Sequence, residues 1–326
     1  MGVNRRRRFL LAAAAFGTAP LPCLAQSGAG IPVVGLLDAG KRLWWWKAFT
    51  QKMRELGYVE GKSVRYETRY GEGYLDRLSS LARDLVQRQV AVIVTAATAA
   101  TQAAKDATSL IPIVSVTGAG HVSMGFAESL AKPGGNVTGL TSLSADLTFK
   151  RVELLRELFP RLSRLAVLWQ TNNSGSTSTY RDLEHATELF KIKLQNVGIR
   201  KKEELPNALA TAAKARAEAV YVISGPLTVD ERVQIAALAL QHHLPSIYSG
   251  SDAVEIGAFI SYGVHYADLF VRAATYVDRI LKGAKPGDLP IEQPTRFELV
   301  LNMKTAKALG ITIPQSILLR TDRVIE

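Results

Sequence analysis

The chain has 326 residues, of which 47% are hydrophobic and 21% are charged, and its formal net charge is +11. These proportions are ordinary for a globular protein, and the length is enough for two compact lobes. No stretch after Ala25 is apolar for long enough to cross a membrane. Four of the positive charges fall within the first 25 residues, and the rest form no basic block beyond the one around Lys201-Lys202, so we expect no nucleic-acid partner.

The first predicted element is an export signal. Arg5 to Arg8 precede an apolar run from Phe9 to Phe16, and a turn-rich stretch then leads to small residues ending at Ala25. This order is typical of a secretory signal, and the apolar run is too short to span a bilayer, which takes about 20 residues. We therefore predict cleavage after Ala25 and a periplasmic protein.

Two features of this signal leave alternatives open. Arg6 to Leu10 fits a twin-arginine pattern, but four consecutive arginines also serve an ordinary secretory signal, so both export routes remain. The one cysteine, Cys23, precedes the predicted cleavage site, so the mature chain would have no thiol and no disulfide. Lipid attachment at Cys23 is the less favoured alternative, because Pro20 to Pro22 form a poor lipoprotein box.

Strand-like and helix-like segments alternate along the rest of the chain. The predicted strands cover 31–37, 64–70, 91–95, 111–117, 137–142, 165–169, 219–223, 246–248 and 258–262. The predicted helices cover 45–56, 75–86, 98–107, 122–131, 147–159, 177–190, 203–217, 228–242 and 269–281. A capping box of Thr228 and Glu231 is expected to start the helix at 228. Such alternation predicts an α/β protein with two doubly wound parallel-sheet lobes.

The boundaries of the lobes follow from where the chain crosses between the two runs. We place the crossings at 137–142 and 258–262. Lobe 1 is then 31–142 plus 264–294, and lobe 2 is 143–263 plus 295–326. Open α/β sheets bind ligands at the carboxyl ends of their strands, so two facing lobes would close on a ligand by a hinge motion.

Short motifs carry a family resemblance over nearly the whole mature chain. They are GYVEG at 57–61, SLAKPGGNVTG at 129–139, LLREL at 154–158, SYG at 261–263, ILKGAKP at 280–286, DLPIEQPT at 288–295 and KTAKALG at 304–310. In these the chain resembles bacterial ABC transporter substrate-binding proteins.

The resemblance implies a type I periplasmic-binding fold with two lobes joined by a hinge. It also implies capture of a small organic solute between the lobes and delivery to an ABC permease encoded on a separate chain. Some relatives bind tryptophan or phenylalanine, so the resemblance points to an aromatic amino acid or a related organic acid as the partner, without fixing which one. We expect a monomer. A periplasmic ligand-sensing protein that reports to a signalling receptor is the alternative.

Catalysis is not expected, since the sequence has no Gly-x-Ser-x-Gly motif and no cysteine after the predicted cleavage site. The stretch Gly118-Ala119-Gly120 has Ser123 in place of the third glycine of a dinucleotide loop. The five histidines do not have the spacing of metal ligands. We therefore expect neither an enzyme nor a cofactor or metal site.

The first candidate ligand-binding residues follow the first strand. Asp38 ends that strand, and Trp44, Trp45 and Trp46 open the next helix. By helical spacing Trp45 packs into the core, which leaves Trp44 or Trp46 to stack on a planar solute. Ordinary helix packing accounts for the three tryptophans equally well.

A second group lies where later strands of lobe 1 end. Ala97 and Thr98 begin a helix whose unpaired N–H groups can hold a carboxylate, and Thr117 ends the next strand. A simple helix cap is the alternative for these residues.

Lobe 2 supplies the remaining candidates. They are strand-end hydroxyls and amides together with a hinge tyrosine: Asn172, Ser174, Ser224, Tyr248, Ser249 and Tyr262. Such side chains suit the rim of a polar ligand, whereas loop capping, or burial for Tyr262, is the alternative.

Two departures from the family concern charge. Relatives often have Asp-Pro where this chain has Gly120-His121, and Ser-Asp-Pro where it has residues 224–226. A site for an ammonium group usually contains an acid. Either the solute therefore lacks a primary amine or Asp38 holds the amine, and His121 and His265 are further candidate contacts.

Overall fold

The computed structural model describes residues 30–142 and 145–326, with the side chains of 145 and 146 left out. The predicted export signal, including Cys23 and Ala25, lies outside these residues. The strands are β1 Val33–Asp38, β2 Arg65–Tyr70, β3 Val92–Ala96, β4 Ile113–Gly118, β5 Val137–Thr141, β6 Arg164–Gln170, β7 Lys193–Ile199, β8 Ala219–Val222, β9 Ser246–Tyr248, β10 Ile260–Val264, β11 Phe297–Asn302 and β12 Arg323–Ile325. The helices are α1 Leu43–Glu55, α2 Leu78–Gln87, α3 Thr98–Ala107, α4 Ala145–Leu158, α5 Ser174–Leu189, α6 Leu205–Lys214, α7 Pro226–Asp230, α8 Arg232–Gln241, α9 Tyr266–Leu281, α10 Met303–Ala308 and α11 Gln315–Leu318.

The first sheet has five parallel strands in the order β2-β1-β3-β4-β5. Its central strands are buried on both faces, as their continuous apolar sequences predict. Alternate side chains such as Val94 pack against α1 and α9 on one face. Their neighbours, such as Ile93, pack against α2 and α3 on the other face. This sheet is therefore doubly wound.

The second sheet has seven strands in the order β12-β11-β10-β9-β8-β6-β7. Only the β10–β11 pair is antiparallel among the described pairs of this sheet. Side chains from α4 and α5 cover one face, and side chains from α6 and α8 cover the other. The predicted α/β class with two doubly wound sheets is confirmed.

The chain passes between the two sheets three times. It leaves the first sheet after β5, returns after β10 so that α9 packs on the first sheet, and rejoins the second sheet at β11. Next to the first crossing, Thr141 N–H donates to Glu292 O at 3.0 Å and Glu292 N–H donates to Gly139 O at 2.9 Å. The first and third crossing segments therefore lie side by side.

The helix predicted at 122–131 is wrong, because this segment forms a series of turns. Gly120 and Gly125 adopt φ values of 66° and 70°, which lie in the left-handed region. The N–H groups of Phe126 and Ala127 both donate to His121 O instead of continuing a helical ladder. The left-handed conformation of Gly125 interrupts the segment, so a regular helix does not run through it.

The helix predicted at 228–242 is two helices, α7 and α8, that meet at Glu231. The expected capping box with Glu231 is also wrong. Thr228 Oγ1 accepts from Gly225 N–H at 2.9 Å and donates to Ile223 O at 2.7 Å, so it caps a turn that begins earlier.

Strands β7, β11 and β12 were not predicted. β7 is an edge strand with mostly exposed or half-buried residues, and β12 has only three residues. The sequences of β7 and β12 lack the apolar run that marks the central strands, whereas β11 contains the buried apolar run 299–301. Within the described part of the chain, no helix is long and apolar enough to cross a membrane.

Candidate ligand-binding site

A cavity lies between the two sheets, where the carboxyl ends of their strands face each other. It contains about 800 Å³ of empty space, part of which is open to solvent. Segments that follow β3 and β4 line it from one side, and segments that follow β8 and β9, together with α4, line it from the other. This is the position at which open α/β sheets bind ligands.

The first-sheet wall is built around the start of α3. Ala97 adopts a φ of 83°, an unusual value for a residue with a side chain, and α3 has no side-chain cap. Thr117 Oγ1 accepts from Ala97 N–H at 2.9 Å and so holds this conformation. Thr98 Oγ1 accepts from Ala119 N–H at 3.1 Å. The strained backbone turns the positive end of the α3 dipole toward the cavity.

An aromatic wall stands beside this helix start. The rings of Trp45 and Tyr266 lie with centroids 4.8 Å apart, and both residues line the cavity. Trp45 Nε1 donates to Asp252 Oδ2 at 2.9 Å, and the hydroxyls of Tyr266 and Ser249 lie 3.2 Å apart. These contacts join residues attached to different sheets, so the aromatic wall bridges the cleft.

A buried ion pair lies at the base of the aromatic wall. Asp38 and Arg42 are fully and almost fully buried and form a salt bridge. Asp38 also accepts from Gly40 N–H at 2.8 Å and from Trp46 Nε1 at 2.8 Å. Burial alone would lower the pKa of Arg42, but the Asp38 carboxylate outweighs burial and raises it. The pair is therefore fixed and electrically neutral.

A second buried cation, Arg151, faces the cavity from α4 and is only 4% exposed. Its Nε donates to Tyr262 O at 2.6 Å, and its Nη1 donates to the Tyr221 hydroxyl at 2.9 Å. Both acceptors are neutral. These two hydrogen bonds fix the guanidinium against the second sheet without compensating its charge.

Hydrogen bonds also close the outer part of the cleft. Lys41 N–H donates to both carboxylate oxygens of Asp230, at 3.2 and 3.0 Å. Gln170 Nε2 donates to Gly73 O at 3.0 Å. Burial raises the pKa of Asp230 to about 6, although Arg42 and the Lys41 N–H act in the opposite direction. The structure thus holds the two sheets together around the cavity.

The structure brings five of the predicted site residues to the cavity and places the other seven elsewhere. The five that line the cavity are Ala97, Thr98, Thr117, Ser224 and Ser249. Asp38 and Trp46 are buried, are joined by a hydrogen bond and do not line the cavity. Trp44 is half-buried, with the Arg232 guanidinium 3.7 Å from its ring centroid.

The remaining predicted residues lie in the second sheet or next to it. Asn172 and Ser174 are exposed, while the residue between them, Asn173, is buried, lines the cavity and caps α5. Tyr248 lines an adjoining space of about 320 Å³ that shares Trp45 and other residues with the main cavity. Tyr262 packs against the core of the second sheet and contributes its carbonyl to Arg151.

Sequence reasoning missed Arg42, Arg151, Tyr221 and Tyr266 as cavity residues, and it assigned Trp45 to the core alone. Trp45 belongs to the core and lines the cavity as well. Arg151 carries a usable signal, because it lies four residues after Leu147 and four before Leu155, on the apolar stripe of its helix. A cation on such a stripe indicates a buried charge with a specific role.

The two histidines proposed as further contacts have different surroundings. His121 is 1% exposed, and neither ring nitrogen has a hydrogen-bond partner among the described residues. Burial lowers its pKa to about 4. His265 precedes α9, and its Nδ1 lies 3.0 Å from Asp268 Oδ1. Neither histidine lines the cavity.

Comparisons with known proteins agree with this architecture. A tyrosine-binding protein of Clostridioides difficile (strain R20291) is 27% identical over 266 residues, which is 81% of this chain and 76% of the relative. The structure of a conserved domain protein from Vibrio cholerae O1 biovar El Tor superposes with a TM-score of 0.85 at 27% identity, covering 90% of this chain and all of that one.

A further solved structure is the ABC domain from Streptococcus pneumonia in complex with L-Trp. It superposes with a TM-score of 0.83 at 23% identity and covers 91% of this chain and all of that one, which shows the shared fold. The family model described as ABC transporter substrate binding protein matches residues 31–325, which is nearly the whole described chain. The chain therefore belongs to the family of ABC transporter substrate-binding proteins.

Proposed function

We propose that the protein is a periplasmic solute-binding protein that captures a small organic solute between two lobes and delivers it, chemically unchanged, to an ABC permease. The observation that carries the proposal is the cavity between the sheets, since it is lined by residues of both and bridged by hydrogen bonds across the cleft. In this proposal the lobes are 31–142 plus 264–294 and 143–263 plus 295–326, and the three crossing segments are the hinge.

The solute is of amino-acid or related organic-acid size and chemistry. Trp45 and Tyr266 offer an apolar wall, and Thr98, Ser224 and Ser249 offer hydroxyls around it. The tyrosine-binding relative supports an aromatic side chain on the solute. A solute that fills the cavity contacts both lobes, so it stabilises the closed state by its differential affinity for that state.

The proposal is tested by binding and uptake together. Titration calorimetry of the purified protein against amino acids, aromatic and aliphatic acids, purines and sugars would identify the solute. Tryptophan fluorescence, to which Trp45 on the cavity wall contributes, gives a second signal. A strain lacking the protein should lose high-affinity uptake of that solute and regain it on complementation. Binding without any change in uptake would contradict the delivery step, and no binding from the whole panel would contradict the proposal itself.

Cell fractionation tests the location separately. The proposal places the shortened chain in the periplasmic fraction, with Gln26 as its first residue by mass spectrometry. Full-length chain in the cytoplasmic fraction would contradict it.

A further inference from the structure

We propose that the cavity selects solutes that carry a carboxylate and lack a neighbouring ammonium group, and that Arg151 binds the carboxylate. This inference rests on the proposed function, because it names the class of solute that the same cavity takes.

Arg151 is the cation whose charge the described cavity leaves uncompensated. Its side chain is almost completely buried, and a buried guanidinium needs an anion as well as hydrogen-bond acceptors. Its observed acceptors, Tyr262 O and the Tyr221 hydroxyl, carry no charge. Among the described residues, no acid lies within ion-pair distance of it. A carboxylate in the cavity would supply the anion in the paired geometry that a guanidinium favours.

The other cation on the cavity wall, Arg42, does not compete for that anion. Asp38 already neutralises it through a buried salt bridge. Asp38 in turn accepts from Gly40 N–H, Trp46 Nε1 and both the backbone and side chain of Arg42. Its oxygens are therefore fully engaged, and this removes the alternative in which Asp38 holds an amine.

The opposite wall has the same sign of potential as Arg151. The ten residues of α3 begin at the cavity without a side-chain cap, so the positive end of the helix dipole adds to the field of the guanidinium. An α-amino acid bound through its carboxylate would bring its ammonium group into this field. Like charges in a low-dielectric site repel strongly. The lining of the main cavity holds no acid among the described residues, so these walls favour the acid without the amine.

The test compares carboxylic acids with the amino acids that have the same body. The pairs are 3-phenylpropanoate with L-phenylalanine, 3-(4-hydroxyphenyl)propanoate with L-tyrosine, indole-3-propanoate with L-tryptophan, and 4-methylpentanoate with L-leucine. Calorimetry should show at least one acid binding at least about 10-fold more tightly than its amino acid, a difference of about 1.4 kcal/mol. Phenethylamine, which has the ammonium and no carboxylate, should not bind.

The outcomes separate this inference from the proposed function. An amino acid that binds more tightly than its matched acid overturns the inference and leaves uptake standing. Binding of a sugar or a purine, when none of the acids binds, also overturns the inference and leaves the proposed uptake function standing. Failure of every solute in both panels overturns the proposed function as well.

Substitution of Arg151 tests its role directly. Arg151→Gln should weaken binding of the preferred acid about 10- to 100-fold, because a hydrogen bond to a charged group is lost. Arg151→Lys, which keeps the charge, should weaken it less. Arg156→Gln is the matched control on the same helix, since Arg156 donates to Leu162 O away from the cavity. Equal affinity in Arg151→Gln and the control would contradict the assignment.

Two further comparisons address a variant that does not fold and an acid whose side chain is not described. If Arg151→Gln does not fold, the methyl ester of the preferred acid against the unchanged protein removes the same charge pair, and equal binding of acid and ester would contradict the assignment. The Asp146 side chain lies outside the described part of the chain, so Asp146→Asn is tested too. We expect the affinity for the preferred acid to stay the same, whereas tighter binding of that acid by Asp146→Asn would show that the Asp146 carboxylate compensates the charge of Arg151 and would contradict the inference.

Discussion

Three buried ionisable residues of this protein avoid an unpaired charge in two different ways. Asp38 and Arg42 neutralise each other, whereas His121 is buried with both ring nitrogens unpartnered among the described residues. His121 avoids the cost of a buried charge by staying neutral, which is why its pKa falls to about 4. At the residue scale, this histidine makes the stability of the fold depend on pH.

The stability contributed by neutral His121 should be lost on acidification. Its pKa is lower in the folded chain than the ordinary 6.5, so protons favour the unfolded chain, and stability falls as the pH drops from 6.5 toward 4. Between pH 7.5 and pH 5 the free energy of unfolding of the parent protein should fall by about 2 kcal/mol more than that of His121→Leu. Urea unfolding at both pH values measures it. The exposed His185, changed to leucine, is the control, and equal pH slopes in His121→Leu and the parent would refute the argument.

The residue types at strand ends could be predicted from the sequence, but the directions of their side chains could not. Periodicity fixes where a strand stops, so Thr98, Thr117 and Ser249 were placed at the cavity in advance. Which tryptophan faces the cavity depends on the rotation of α1, where one residue corresponds to about 100°. Trp45 therefore took the place expected for Trp44 or Trp46.

At the scale of elements, the start of α3 concentrates backbone strain at the candidate site. Ala97 has a φ of 83° and a ψ of 150°, a conformation that glycine adopts easily and other residues adopt at a cost of about 1–3 kcal/mol. The hydrogen bond from Ala97 N–H to Thr117 Oγ1 and the burial around it hold the residue there.

Replacing this alanine by glycine should stabilise the protein. We expect Ala97→Gly to raise the free energy of unfolding by about 1 kcal/mol, because relief of strain exceeds the entropy cost of glycine. Ala100→Gly, within the same helix, should lower it by about 1 kcal/mol. Denaturant unfolding of both variants measures the two signs, and a loss of stability in Ala97→Gly would show that the backbone is unstrained.

Central elements followed from the sequence, and irregular ones did not. The buried parallel strands and α9 are marked by continuous or periodic apolar residues. The segment 122–131 has enough apolar residues to resemble a helix, but the left-handed conformations of Gly120 and Gly125 prevent one. Strand β7 could not be predicted for the opposite reason, since an edge strand needs few apolar residues.

At the scale of the whole molecule, the doubled alternation of strands and helices predicted two sheets, and the cavity follows from their facing ends. What the alternation could not show is which groups meet across the cleft. The contact of Asp230 with Lys41 N–H joins residues 189 positions apart, and only the folded chain brings them together. Gly40 permits this approach, because a Cβ there would lie 2.7 Å from an Asp230 oxygen.

Asp230 should make the closed arrangement more stable at lower pH. Its pKa is raised to about 6, so protons favour the folded, closed chain, and the stabilisation is lost as the pH rises through 6. We expect the parent protein to gain about 1 kcal/mol relative to Asp230→Asn on going from pH 7.5 to pH 5. This slope opposes that of His121, so unfolding is compared between parent and variant at each pH. A constant difference across the range would contradict the assignment.

The central claim is that a solute enters and leaves only when the two lobes separate, and a cross-link across the cleft tests it most directly. A Cβ built at Gly175 on α5 lies 3.8 Å from the Cβ of Thr98 on α3, which is the usual spacing in a disulfide. In a Cys23→Ser background, Thr98→Cys with Gly175→Cys leaves these two as the chain's only thiols.

The measurement is the release of radiolabelled 3-phenylpropanoate, or of whichever panel solute binds most tightly, after loading and oxidation. The oxidised protein should retain the solute until a reductant is added. Release at the same rate from the oxidised and reduced forms would contradict the account.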